Sequence, residues 1–241
     1  LLMLCGVTFL TRLPDPVLQQ MENFNDPTYG LNDAFKPVCR YWDRITHPAQ
    51  VIQSLPNAIS TMLDPADCGP AFIGLPQDVQ GWTYDFPIVF FEKKIHHIRR
   101  QSPDIKEINN AVISLKKAKR PMIIAGGGVQ YSKATEQLKN FAEKHQIPVV
   151  ETIAGRANLT SEHSLNIGPI GVTGSDSANH VAENADVILA VGTRLQDFTT
   201  GSWTAFAHDA KFISLNAGRH DAGKHMALSV VGDAKLSLDL L

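Results

Sequence analysis

"PMIIAGGGVQYSKATEQLKNFAEKHQIPVVET", residues 121–152, reads as a strand, a glycine turn, a helix and a second strand. The apolar run 121–125 has the length of a buried strand, Gly126, Gly127 and Gly128 turn the chain, and a helix is expected over 132–145 before a strand over 147–152. The same rhythm extends outward on both sides. A helix is expected over 104–118; after a glycine-rich stretch to 174 come a helix over 175–184 and strands over 186–191 and 211–215. The tail "VVGDAKLSLDLL", 230–241, reads as a short strand turning into a helix. Strands alternating with helices imply a parallel sheet covered on both faces, a Rossmann-like α/β domain.

The glycines admit two readings. Gly126-x-Gly128 after a strand, with Glu151 closing the next strand, approaches the dinucleotide fingerprint, in which backbone amides meet a diphosphate and an acid meets a ribose. Tyr131 stands where the third glycine belongs, and bulk there obstructs the approach of helix to strand. A structural turn is therefore the preferred reading, with a bound dinucleotide as the alternative. A second glycine motif, "GRHDAGKH" at 218–225, matches G-x-x-x-x-G-K but places His225 where a magnesium-binding Ser or Thr is required. "GPIGVTGS", 168–175, and "GTRLQDFTTG", 192–201, put Gly171, Gly174, Gly192, Arg194 and Asp197 at strand ends, where open α/β sheets form a ligand cleft. Ser175 reads as the N-cap of the helix that follows it.

Upstream the pattern is less regular. Residues 1–8 suggest a buried strand, "VLQQMENF" (17–24) a short helix, and "GPAFIGLP" (69–76) another strand. A helix is expected from an N-cap at Thr46, with Pro48 in its first turn, a buried stripe of Val51, Ile52, Leu55, Ile59 and Met62, and a kink at Pro56. Residues 82–103 read as a linker whose basic run "KKIHHIRR" is a solvated connector.

Composition narrows the function classes. The chain has 241 residues, 44% hydrophobic and 19% charged, with a formal net charge of -2. That balance gives no polyelectrolyte signal for nucleic acid or an anionic membrane. Cys5, Cys39 and Cys68 form no C-x-x-C pair, so a reducing cytoplasm is expected. The nine histidines show no metal-ligand spacing and there is no G-x-S-x-G elbow. The apolar opening "LLMLCGVTFL" is about half a membrane span. Because it begins without Met inside a strand-like run, the chain is expected to be an internal segment of a longer protein.

Taken in order, "LLMLCG", "DPVLQQME", "NDAFKPVCRYWDRI" and "GPAFIGLPQDVQ" resemble the second half of the pyrimidine-binding domain of thiamine-diphosphate enzymes, the family of acetolactate synthase. "KRPMIIAGGGV", "IPVVET", "GPIGVTG", "ADVILAVGTRLQDFTTG" and "VVGDAK" resemble the central domain of the same family. The resemblance implies part of a pyrimidine-binding domain over 1–81, a linker over 82–103 and a central domain over 104–241. "DPVLQQ", "NDAFKPVCRYWDRI" and "LPQDVQG" are most similar to the members that hydrolytically open a cyclic 1,2-diketone in myo-inositol catabolism.

That likeness implies carbon–carbon cleavage of a small cyclic diketone by thiamine diphosphate with magnesium, in a homodimer or homotetramer. The alternatives are an acetolactate synthase-like carboligase and an FAD- or NAD-binding module. The family's activating glutamate is expected upstream of residue 1 and its G-D-G…N metal motif downstream of residue 241, so no metal ligand and no complete catalytic set is expected here. Gln19 and Lys36 match residues that line the active site. Gly171, Gly174, Gly192, Arg194 and Asp197 match the pattern by which flavin-containing members hold FAD. Asn216, in "SLNAG", replaces an acid of that pattern, so FAD is not expected.

Overall fold

The computed structural model describes residues 1–12, 23 and 25–241. The chain divides into two compact units, Leu1–Arg99 and Arg100–Leu241. The short helix read over 17–24 falls, but for Asn23, outside the described residues.

In the first unit three parallel strands, β1 (Leu2–Val7), β2 (Tyr41–Arg44) and β3 (Ala71–Pro76), lie in the order β1-β3-β2. Leu2 and Tyr41 both register with Ala71. The buried strand is β3, not β1: Leu1 and Leu4 are 79% and 58% exposed, because β1 is an edge strand with β3 on one side only. The short, charge-bearing "YWDR" of β2 was not anticipated. One helix, α1 (Val51–Leu63), packs on the sheet and continues through Pro56. It enters through a 3-10 turn, Pro48–Gln50, capped by His47 rather than Thr46: His47 Nδ1 accepts the Ala49 N–H at 3.2 Å, while the Thr46 N–H is drawn to Gln50 Oε1. The expected stripe is only half-buried. The small residues Ser54 and Ala58 are the buried positions of the helix instead. On the other sheet face Phe72 is stacked between Phe35 and Trp42.

The second unit is a six-stranded parallel sheet of β4 (Pro121–Ala125), β5 (Val149–Glu151), β6 (Asn166–Pro169), β7 (Val187–Val191), β8 (Lys211–Asn216) and β9 (Leu228–Val231). Its order is β6-β5-β4-β7-β8-β9. Side chains alternate across β4 and β7 as a strand requires. Ile123, Ala125, Leu189 and Val191 meet Ile108 and Ala111 of α2 (Ile105–Lys117) and Leu138 and Phe141 of α4 (Thr135–His145). Met122, Ile124, Ile188 and Ala190 meet Ala178 and Ala182 of α5 (Asp176–Asn184) on the other face. Asp104 and Ser175 cap α2 and α5, accepting the N–H groups of Lys106 and Ala178.

The helix expected over 132–145 is α4, which begins at Thr135; a separate short helix not anticipated from the sequence, α3 (Gly127–Tyr131), follows the glycine turn, and Lys133, with φ of 53°, separates the two. Two further short helices, α6 (Asp197–Thr200) and α7 (Arg219–Ala222), lie in the loops after β7 and β8, and α8 (Ala234–Leu238) ends the chain. Arg100 is not a solvated connector residue: it pairs with Asp233 at 2.7 Å, and Asp233 caps α8.

Candidate functional site

The strand order places β4 beside β7, although β5 and β6 come between them in the chain. Their carboxyl ends are therefore the topological switch point, where parallel α/β sheets ordinarily bind ligands. Gly126–Gly128 and Gly192 meet there. The Gly128 N–H donates to Gly192 O at 2.8 Å, and the Gly126 N–H donates to Val191 O at 2.8 Å. A Cβ on Gly126 would stand 2.3 Å from Gly192 O, and one on Gly128 2.5 Å from Gly192 Cα. Gly127 faces Ala154, with Ala154 O 3.1 Å from the place of its missing Cβ. These glycines are small because two loop backbones touch.

The surrounding polar groups also turn inward. Glu151 is 8% exposed and its Oε2 accepts the Ala157 N–H at 3.0 Å. Asn158, 2% exposed, donates to Gly155 O and Gly126 O and leaves its own Oδ1 without a partner. Asn216 ties the neighbouring loops, donating to Thr193 O at 3.0 Å and accepting the Gly218 N–H at 2.9 Å. Arg194 Nε faces Asp221 Oδ2 at 3.5 Å. Asp197 accepts the Ser202 hydroxyl at 2.6 Å.

The remaining predicted glycines form a second group. Gly171 has φ of +110°, and a Cβ there would stand 2.3 Å from Phe198 O; Val172 N–H donates to that same carbonyl at 2.9 Å. Gly174 folds back on the backbone of 169–171. Between this loop, α5 and the 201–205 segment runs a cleft of about 1000 Å³, lined by Gly171, Asp176, His180, Glu183, Gly201 and Ser202 among others. Of the predicted residues only Gly171 lines this cleft.

In the first unit Gln19 lies outside the described residues. Lys36 does lie within them, on the 3-10 segment Leu31–Val38. Its Nζ stands 2.6 Å from Asp33 Oδ1 and 4.3 Å above the Trp42 ring. Asp33, only 3% exposed, also accepts Arg44 Nη2 and the Gly30 N–H, both at 2.7 Å. Burial pushes the Asp33 carboxyl up, but the hydrogen bonds from Lys36, the Gly30 N–H and Arg44 outweigh it and hold it below the usual carboxylate range. The Lys36 ammonium thus serves a buried carboxylate. Asp33 was missed at the sequence level, though an acid three residues before a lysine is a recognisable pairing signal.

Among the described residues no group of three or more His, Cys, Asp or Glu is placed to hold a metal ion. No described helix is long and apolar enough to cross a membrane.

Residues 108–241 match the family model described as thiamine pyrophosphate enzyme, central domain. Over its whole length the chain is similar to curated proteins named 3D-(3,5/4)-trihydroxycyclohexane-1,2-dione hydrolase. It is 48% identical over 241 residues to that of Clostridium tetani and 47% identical over 242 residues to that of Clostridium perfringens (strain 13 / Type A). The identity is 45% over 240 residues to that of Geobacillus thermodenitrificans. The chain spans 37–38% of the length of these relatives.

Proposed function

The chain belongs to the thiamine pyrophosphate enzyme family, whose central domain it carries, and from that premise we propose that it is part of an enzyme that hydrolytically opens a cyclic 1,2-diketone. The substrate class is trihydroxycyclohexane-1,2-dione, and the product of adding water across the broken ring bond is a deoxy-glucuronic acid. The supporting observation is the 48% identity to the hydrolase of Clostridium tetani, sustained over every residue of the chain. In this reading residues 1–81 belong to the pyrimidine-binding domain, 82–103 to a linker and 104–241 to the central domain. The full-length enzyme is cytoplasmic and a homodimer or homotetramer.

Thiamine diphosphate with magnesium supplies the bond-breaking chemistry in such enzymes. The described residues offer no metal-holding cluster, and at the switch point the Gly126 and Gly128 amides donate to Val191 O and Gly192 O rather than standing free for a diphosphate. In this reading the cofactor's diphosphate and metal are held by other parts of the full-length protein. The 104–241 domain contributes rigidity and spacing, and no chemical step is assigned to it. Lys36 and Gln19 remain the candidates for the active-site wall.

The test is the full-length protein incubated with trihydroxycyclohexane-1,2-dione, with and without thiamine diphosphate and magnesium, followed by proton NMR. Cofactor-dependent appearance of the ring-opened acid is expected. Acetolactate formed from pyruvate with the diketone untouched would instead identify a carboligase.

A further inference from the structure

"GRHDAGKH" resembles a phosphate-binding loop, yet its middle is the helical turn α7, in which the N–H groups of Ala222 and Gly223 are spent on Gly218 O and Arg219 O. What a phosphate would do electrostatically is done by Asp221. Its Oδ1 takes Lys224 Nζ at 2.5 Å and its Oδ2 faces Arg194 Nε at 3.5 Å. Lys224 Nζ also donates to Arg194 O at 3.0 Å, joining the loops after β7 and β8. The backbone of this turn is held from below, since the fully buried Ser214 donates its hydroxyl to the Asp221 backbone carbonyl at 3.4 Å. Beside Lys224, the His225 ring lies against that of Trp203 with their centroids 3.3 Å apart. Two cations thus converge at the carboxyl edge of the sheet, and the charge between them comes from the chain itself.

We propose that Asp221 is an internal counter-anion that closes this edge to phosphate groups, and that removing its charge opens a site there for the phosphates of a nucleoside diphosphate. Arg194 and Lys224 would then be left as two positive charges around the position the carboxylate neutralised, an arrangement that draws a diphosphate. This holds whichever reaction the full-length enzyme performs.

The test uses the full-length protein with thiamine diphosphate and magnesium saturating, so that its own diphosphate site is filled, titrated with ADP by calorimetry. Wild type is expected to give no saturable ADP binding at millimolar concentration. Asp221→Asn should bind ADP at least tenfold more tightly than wild type and weaken as salt rises, while adding Lys224→Met to it should return the protein to wild-type behaviour. Asp221→Ser serves in the same role should the asparagine variant fail to fold. Wild-type ADP binding that Lys224→Met abolishes would show the edge already open and overturn the proposal. So would a folded, charge-free variant that gains no affinity, or a gain that survives in the double variant.

Discussion

Replacing Gly192 with alanine loads two separate costs onto one atom. The residue has φ of +59°, in the left-handed region, where an L side chain costs about 1–2 kcal/mol. Its added Cβ would lie 2.6 Å from Gly128 Cα and 2.8 Å from both Gly128 C and Val129 N. These are backbone atoms of a turn hydrogen-bonded to Gly192 itself, so relief requires the β4 and β7 loops to part. Overpacking of that kind costs about 1–3 kcal/mol. Together the loss is about 2–5 kcal/mol, which at about 2–4 °C per kcal/mol lowers the melting temperature by roughly 4–20 °C. Gly223→Ala is the control within the same unit: its Cβ would meet nothing nearer than Arg219 O at 3.6 Å, and a change under about 0.5 kcal/mol is expected. Gly128→Ala presses on the same contact from the other side, so the double variant should lose less than the sum of the singles, because the loops separate only once. Thermal unfolding followed by circular dichroism reads all four. A Gly192→Ala protein melting within about 1 °C of wild type would mean that the loops are not in contact and that the glycines leave room for a ligand.

Three further outcomes follow from the geometry. Asp33→Asn breaks a buried carboxylate's pairing with Lys36 and Arg44 and should cost about 3 kcal/mol by denaturant titration. Because the folded carboxyl titrates below its unfolded range, near 3.9, the wild type keeps this contribution above about pH 4 and loses it as pH falls through the lowered value; acid unfolding of Asp33→Asn should lack that component. Glu151→Ala strips the Ala157 N–H of its acceptor and should cost about 1–3 kcal/mol, while NAD titrations stay as flat as those of wild type; binding of NAD that this change abolished would restore the ribose-acid reading. Asp78 accepts the N–H groups of Leu10, Thr11 and Val79, and burial pushing its carboxyl up is outweighed by those bonds. Asp78→Ala should therefore speed hydrogen exchange at Leu10 and Thr11 by tenfold or more and leave residues 104–241 unchanged.

Sequence patterning reached furthest where a single local rule acted. Pro121–Ala125 is recovered residue for residue, since five apolar positions bounded by a basic pair and a glycine leave a strand little freedom. Ser175 caps its helix as its position suggests. The failures have equally local causes. The four-residue β2, "YWDR", carries two charges whose partners, Ser54 and Gln50 for Asp43 and Asp33 for Arg44, come from neighbouring segments 7 to 11 residues away that are not part of the strand. The strand β6, "NIGP", contains Gly168 at φ of +102° and a proline, both marks of a turn. The break at Lys133 depends on Ala134 N–H reaching back to Val129 O, a closure no propensity encodes.

The glycine pattern of the central domain was readable as a pattern and ambiguous as chemistry for one reason. Gly126, Gly128 and Gly192 satisfy a requirement, close backbone approach, that a bound diphosphate and a second loop impose equally. Composition cannot tell which of the two fills the space. The distinction lies in the acceptors: Gly192 O takes the Gly128 N–H, Ala157 N–H goes to Glu151, and Thr193 O takes the Asn216 amide. The first contact is made within the glycine motif, and the other two are supplied by Glu151 and Asn216, residues outside it. A sheet edge built this way spends polar groups of its switch point on its own loops.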